Sequence, residues 1–246
     1  CGTCAGGTCT ANSQCAGGIC SGGICLTKTT IQSFSPPSGA PGTFVSIFGQ
    51  YFGTTSGHVY FGKNSAPSVS SSDWVEAFPP LSCGAFSYWN NNQIIIQAPT
   101  GTAVSTPIKV VTAPRDNGSG TLAVETDLTS AHGLANFQIT TTTRPGICML
   151  IPDNGAPGDL VSVDGKNFGL ISLASDGVFF DAQKALVLTS GSGLVGWTDS
   201  LISVATPGIL AGHLSVHVSK NGFESNKVEY TVNPVNGGTY PTISSV

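Results

Sequence analysis

The sequence predicts an all-β protein: a small, loop-dominated module held by disulfides, followed by two tandem β-sandwiches. Three observations point there. Gly (32) and Pro (15) are abundant while only 9% of the 246 residues are charged, and such a chain supports few long helices. Short runs of Val, Ile and Phe alternate with polar residues at period two, with Gly, Pro and Asn between them. A stretch of about a hundred residues recurs, and a repeat of that length is a whole domain rather than a solenoid unit.

The first 27 residues hold Cys1, Cys4, Cys9, Cys15, Cys20 and Cys25, with almost no large apolar side chain among them. A segment that cannot bury a core takes its order from cross-links. Zinc is the rival reading, since x4 spacings between cysteines occur here. The segment has no His and precedes a charge-poor, Ser/Thr/Gly-rich chain that reads as secreted, so disulfides are the expectation. Its half "CAGGICSGGIC" resembles "CGTCAGGTC", which places Cys1 in the middle of a repeat.

Residues 28–142 and 143–234 form the two expected sandwiches. "IQSFSPPSGAPGTFVSIFGQYFG" from Ile31 and "ICMLIPDNGAPGDLVSVDGKNFG" from Ile147 align without a gap. "HVYFG" then matches "GVFFD", and "WNNNQIIIQAP" matches "WTDSLISVATP". Val45 and Ile47, Val59 and Phe61, Ile94 and Ile96 alternate as half-buried strands do, as do Val161 and Val163, Val178 and Phe180, Ile202 and Val204. The Gly/Pro segments between the first two strands are turns, Pro fixing φ and Gly taking φ > 0. Residues 235–246 read as a linker and, in "PTISSV", the first strand of a third repeat.

Trp74, Phe78, Phe86 and Tyr88 fall where the first repeat carries about eleven extra residues between "VYFG" and "WNNNQ". Long loops on a rigid sandwich are where binding tends to reside. Trp74 has no counterpart in the second repeat and is the recognition candidate, with a plain loop anchor as its other reading. Trp89 repeats as Trp197 and is expected in the core. Cys83 lies in the same stretch and Cys148 opens the second sandwich, so a disulfide between them would join the two.

Little else suggests chemistry. His213 and His217, four apart on one strand, are too widely spaced to share a metal and read as surface residues. His58 and His132 have no Cys or carboxylate partner close in sequence. "APRDNGSG" and "PDNGAPGD" lack the oxygen ligands of a calcium loop and read as turns. Asn117-Gly-Ser119 is a sequon of consequence only in a eukaryotic secretory host. No cofactor, metal site or catalytic set is expected. The net charge of −4 and nine scattered Lys and Arg offer no nucleic-acid face, and no apolar run approaches the ~20 residues that span a bilayer.

Ile31, Ser33, Ser35, Pro36, Gly39, Gly42, Thr43, Val45, Ile47, Gly49, Phe52 and Gly53, with "VYFG", resemble the IPT/TIG domain of the immunoglobulin-like superfamily. The second copy departs at Met149, Ile151, Asp159 and "FFD", none of them a turn glycine. The resemblance implies immunoglobulin-like sandwiches of scaffold residues, in a family of bacterial surface and adhesion proteins, starch-acting enzymes, receptors and transcription factors. It carries no active site. The Cys-rich stretch resembles short disulfide repeats of bacterial surface proteins. The expected function is a non-catalytic extracellular or cell-surface structural or adhesive region of a longer protein or filament, meeting copies of itself or other surface proteins. The alternative is a carbohydrate-binding accessory region of a secreted polysaccharide-acting enzyme, with a glycan as partner.

Overall fold

The computed structural model describes residues 8–15, 19–21, 23–26, 28–68, 70–84, 88–116, 122–123, 126–188 and 196–234. Cys1, Cys4, Phe86, the sequon at Asn117 and the stretch "PTISSV" lie outside them. Among the described residues the structure is all β, with four single 3-10 turns and no α-helix. The chain divides into two compact units, Cys1–Thr143 and Arg144–Val246.

The N-terminal module is a small hairpin, Ile19–Ser21 against Ile24–Leu26, turning at Gly23 with φ +81°. Cys9 is disulfide-bonded to Cys20, and its amide donates to the Gly23 carbonyl at 2.8 Å. The bridge thus ties an irregular segment to the turn of the hairpin, doing what a core would do in a larger domain.

The first immunoglobulin-like sandwich pairs two sheets. One orders Thr30–Ser35, Phe44–Gln50 and Gln93–Gln97. The other orders Thr126–Leu128, Ile108–Val111, His58–Gly62 and Trp74–Ala77. Phe137–Ile139 closes the edge between Ser38–Gly39 and Ser105–Thr106. Ile31, Val45, Ile47, Val59, Phe61, Ile94, Ile108, Val110 and Phe137 meet between the sheets, each such side chain contributing about 1.5–3 kcal/mol on burial. The Phe44–Gln50 strand departs from simple alternation, because Phe44 and Ser46 on its other face are buried as well. The Phe78 and Tyr88 carbonyls lie beside this sheet, accepting from the Gln97 and Ile95 amides at 2.9 and 2.8 Å.

The second sandwich repeats the plan. Gly146–Ile151, Leu160–Lys166, Leu201–Ala205 and Leu186–Val187 make one sheet. Gly177–Phe180, Gly212–Lys220 and Val228–Val232 lead the other. Val161, Val163, Phe168, Val178, Phe180, Ile202, Val204, Val216, Val218 and Tyr230 are its core.

The repeated glycines acquire a reason. A Cβ at Gly49 would strike the Thr30 carbonyl and the Phe52 ring, and one at Gly165 would strike the Gly146 carbonyl and the Phe168 ring. Each glycine makes room for the phenylalanine three residues on, which packs edge-on against Trp89 or Trp197 at 6.4 and 6.5 Å between centroids. Trp89 is 4% exposed, a core residue. Both repeats also fix their first strand with a polar side chain from far along the chain. The Ile31 amide donates to Asp127 Oδ2 at 2.6 Å, and the Ile147 amide to Asn226 Oδ1 at 2.7 Å.

Candidate ligand groove on the first sandwich

The extra residues of the first repeat form the loop between the His58–Gly62 and Trp74–Ala77 strands. In the second repeat the corresponding strands, Gly177–Phe180 and Gln183–Lys184, are joined by a tight turn at Asp181, φ 49°. Asp181 caps that turn by accepting the Ser215 amide and hydroxyl, both at 2.9 Å. Gly62 stands in its place in the first repeat. A Cβ there would meet Asn64, Pro67 and Pro107, so the glycine lets the longer loop fold down onto the sheet.

The loop is held by its own hydrogen bonds. Asp73 Oδ2 accepts the Ser68 amide at 2.9 Å and the Ser68 hydroxyl at 2.6 Å. These bonds lower the Asp73 carboxyl pKa from its usual value. The Lys63 amide donates to the Asp73 carbonyl at 2.8 Å, Ala66 to Asn64 Oδ1 at 3.0 Å, and Trp74 Nε1 to the Ser68 carbonyl at 2.9 Å.

Between this loop and the outward face of the sheet lies a groove of about 580 Å³. Residues 65–68 wall one side, Trp74 and Lys109 form the middle, and Pro107, Val111 and Leu128 supply an apolar floor with Thr126 and Ser130 beyond it. Lys109 faces outward because its neighbours Ile108 and Val110 enter the core. Its ammonium stands 4.1 Å from the Trp74 ring centroid and 4.7 Å from that of Tyr60. Burial lowers the Lys109 pKa, and burial together with the Glu76 charge raises that of Tyr60.

Among the described residues, Trp74, Phe78 and Tyr88 do not assemble into one site. Trp74 opens a strand rather than lying on a loop, and at 7% exposure it is an anchor for residues 65–68, with the groove beside it. Phe78 is 63% exposed at the far end of the same strand, and Tyr88 packs against the core. Sequence reasoning missed Lys109, Tyr60 and Leu128. They pair across adjacent strands, Tyr60 with Lys109 and Lys109 with Leu128. Their only sequence signal is an outward position flanked by core residues, as in "PIKVV".

The described cysteine side chains are all in disulfides. Besides Cys9 and Cys20, the residues Cys15, Cys83 and Cys148 are each in a disulfide. Cys9, Cys15 and Cys20 bring their sulfurs within 4.8 Å of one another, a packing that disulfide pairing accounts for. The side chain of Cys25 lies outside the described residues.

Three histidines need revision. His217 is buried, not a surface residue, because its ring stacks on Phe179 at 5.3 Å between centroids. His58 and His132, expected to lack carboxylate partners, each meet one: Glu76 at 2.6 Å, and Asp127, only five residues back in the chain, at 2.7 Å. His213 is exposed beside the Thr231 hydroxyl at 3.1 Å. The "PDNGAPGD" stretch is a turn in which Asp159 Oδ2 accepts the Ala156 amide at 2.7 Å.

Paired, mainly antiparallel sheets around an apolar core, built twice, define the class of protein: tandem immunoglobulin-like β-sandwiches. Residues 29–77 match the IPT/TIG domain family, so an IPT/TIG domain lies in the first sandwich. The chain is also similar to cyclomaltodextrin glucanotransferases. It is 28% identical to that of Paenibacillus macerans over 74% of this chain and 22% of the relative, and 33% identical to that of Niallia circulans over 39% of this chain and 13% of the relative. The chain therefore corresponds to a minor fraction of these relatives' length. A solved γ-cyclomaltodextrin glucanotransferase from an alkalophilic Bacillus clarkii covers 77% of this chain and 22% of its own, at 18% identity and a TM-score of 0.31. Among the described residues no helix is long and apolar enough to cross a membrane.

Proposed function

We propose that this chain is a non-catalytic extracellular accessory region that binds carbohydrate on behalf of a longer protein. The observation that carries the reading is the groove itself. The loop that distinguishes the first repeat from the second is the one that builds it, and that loop is tied in place before any ligand arrives, which reduces the ordering cost of binding. An apolar floor with hydroxyls at its rim suits a sugar ring, which has C–H faces and polar edges. Sequence similarity to cyclomaltodextrin glucanotransferases, whose name specifies glucan transfer, supports the same ligand class. Disulfides in the first 27 residues support an extracellular setting.

Affinity electrophoresis through gels containing starch and other polysaccharides tests the reading. Retardation is expected, and it is expected to vanish when Ala66 and Pro67 are both replaced by Asp, which adds charge to the groove wall. Free migration through every polysaccharide would overturn it.

A second reading, assembly with copies of itself or with other surface proteins, is favoured by a different face. On the second sandwich Ile151, Leu160 and Leu186 are at least half exposed, and the latter two flank Ala205 across neighbouring strands. Exposed aliphatics grouped on a sheet suit protein contact more than sugar contact. Light scattering that shows concentration-dependent association, removed by Leu160→Asp, would support it.

A further inference from the structure

We infer that the groove on the first sandwich selects an anionic sugar, a uronate or a sulfate ester, whose acid group meets the Lys109 ammonium above the Trp74 and Tyr60 rings. This rests on the carbohydrate reading and narrows its ligand.

Lys109 sits mid-sheet, where neighbouring strands restrict its hydration. Its contacts are two π faces, and among the described residues no carboxylate reaches it within ion-pair distance. A described carboxylate on the same face, Glu76, lies across Tyr60 and meets His58 at 2.6 Å. An ammonium partly removed from water and given only aromatic faces remains short of hydrogen-bond acceptors, since it carries three donors. The depressed pKa of Lys109 agrees with that incomplete compensation. A ligand anion would supply acceptor and counter-charge together, as a charge-assisted hydrogen bond.

The rest of the groove limits what can carry that anion. Its floor of Pro107, Val111 and Leu128 is apolar, and its volume of about 580 Å³ falls within the range of about 300–1,000 Å³ usual for small-ligand sites. Thr126 and Ser130 complete the lining from the Thr126–Leu128 strand, at the sheet edge opposite Trp74–Ala77, and the residues just after it. A free inorganic anion would leave the floor uncovered. A neutral sugar would cover the floor and leave Lys109 with hydroxyl acceptors only. A sugar ring bearing one acid group satisfies both.

The test is isothermal titration of the full chain, at one fixed ionic strength, with three ligands: an oligogalacturonate, a sulfated oligosaccharide and maltoheptaose. At least one acidic ligand is expected to bind about tenfold more tightly than maltoheptaose, the worth of a hydrogen bond to a charged group. The acidic ligand with the higher affinity identifies the acid group. Lys109→Met is expected to reduce that preference to within about twofold, while Lys109→Arg retains it. The Trp74 indole N–H resonance is expected to shift on binding, and thermal unfolding checks that each variant is folded. Maltoheptaose binding as tightly as both acidic ligands, or a preference that survives Lys109→Met, would overturn the inference and leave the carbohydrate reading standing. No binding of any of the three would overturn this inference, and failure in the polysaccharide gels as well would remove the reading beneath it.

Discussion

Lys109 and His217 stand at the same position of their sandwiches, each outward-facing and each packed on the ring of its cross-strand partner, Tyr60 or Phe179. In the first repeat a loop rises beside the pair and makes a groove. In the second the Asp181 turn leaves no such wall, and the histidine lies flat and buried, its Nδ1 without a hydrogen-bond partner.

That burial makes the second sandwich sensitive to mild acid. Burial lowers the His217 pKa, opposed by Glu224 at 3.8 Å, assisted by Lys227 and opposed by Asp181. A histidine held neutral binds fewer protons folded than unfolded, so stability falls as pH drops through about 6.5. Urea midpoints between pH 8 and 5 are expected to decline for the parent chain and to decline less for His217→Phe.

A stronger acid effect centres on Asp176, which meets Lys220 at 2.7 Å with both side chains nearly enclosed. Lys220 also donates to the Ser172 hydroxyl and the Leu170 carbonyl. Burial alone would raise the Asp176 pKa. The hydrogen bond from Lys220 and the backbone donors Ser172, Asn221 and Leu173 overcome it and hold the carboxyl well below its usual range. The stabilisation is therefore full above pH about 4 and lost as pH falls further. Asp176→Ala is expected to cost about 3–5 kcal/mol by denaturant unfolding, since it strands a buried ammonium.

The two polar clamps on the first strands invite a matched pair of substitutions. Asp127→Ala and Asn226→Ala each leave a buried amide, Ile31 or Ile147, without its acceptor, at an expected cost of about 1–3 kcal/mol. Asp127→Asn retains an amide acceptor and is expected to lose less, with the His132 contact weakened. Equilibrium unfolding of the three variants checks the ordering.

Gly49→Ala and Gly165→Ala are expected to be among the most damaging single changes, at about 3 kcal/mol or more each. The added methyl meets backbone on one side and a core ring on the other. Soluble yield and thermal midpoint report the effect, and Gly208→Ala, where open space surrounds the site, serves as the tolerated control.

Thiol chemistry gives a further check. Under denaturing, non-reducing conditions Cys83 and Cys148 are expected to resist alkylation, since both are in disulfides, and peptide mapping is expected to recover Cys9 linked to Cys20.

The scaffold was legible in the sequence because its determinants are local and occur twice. Gly49, Phe52 and Trp89 recur as Gly165, Phe168 and Trp197, so position alone announced their packing. The groove was harder to read. Trp74 drew notice for lacking a counterpart, but its burial depends on Ser68 and its strand on pairing with Gly62. Lys109 belongs to the site only through register with Tyr60 and Leu128, and nothing in "PIKVV" distinguishes it from an ordinary solvated lysine. His217 was misread for the same reason, since a ring partner on an adjacent strand leaves no mark beside it in the chain.

The Lys63–Asp73 loop is stitched chiefly to itself and to the strand that follows it, while the second sandwich completes the same framework with a turn of a few residues. It is therefore a cassette on a chassis that the second repeat builds without it. Moved into the Asp181–Ala182 turn, with glycine restored at position 181, it would give the second repeat a wall of its own, with His217 where Lys109 stands, and so a version of the groove whose charge is set by pH.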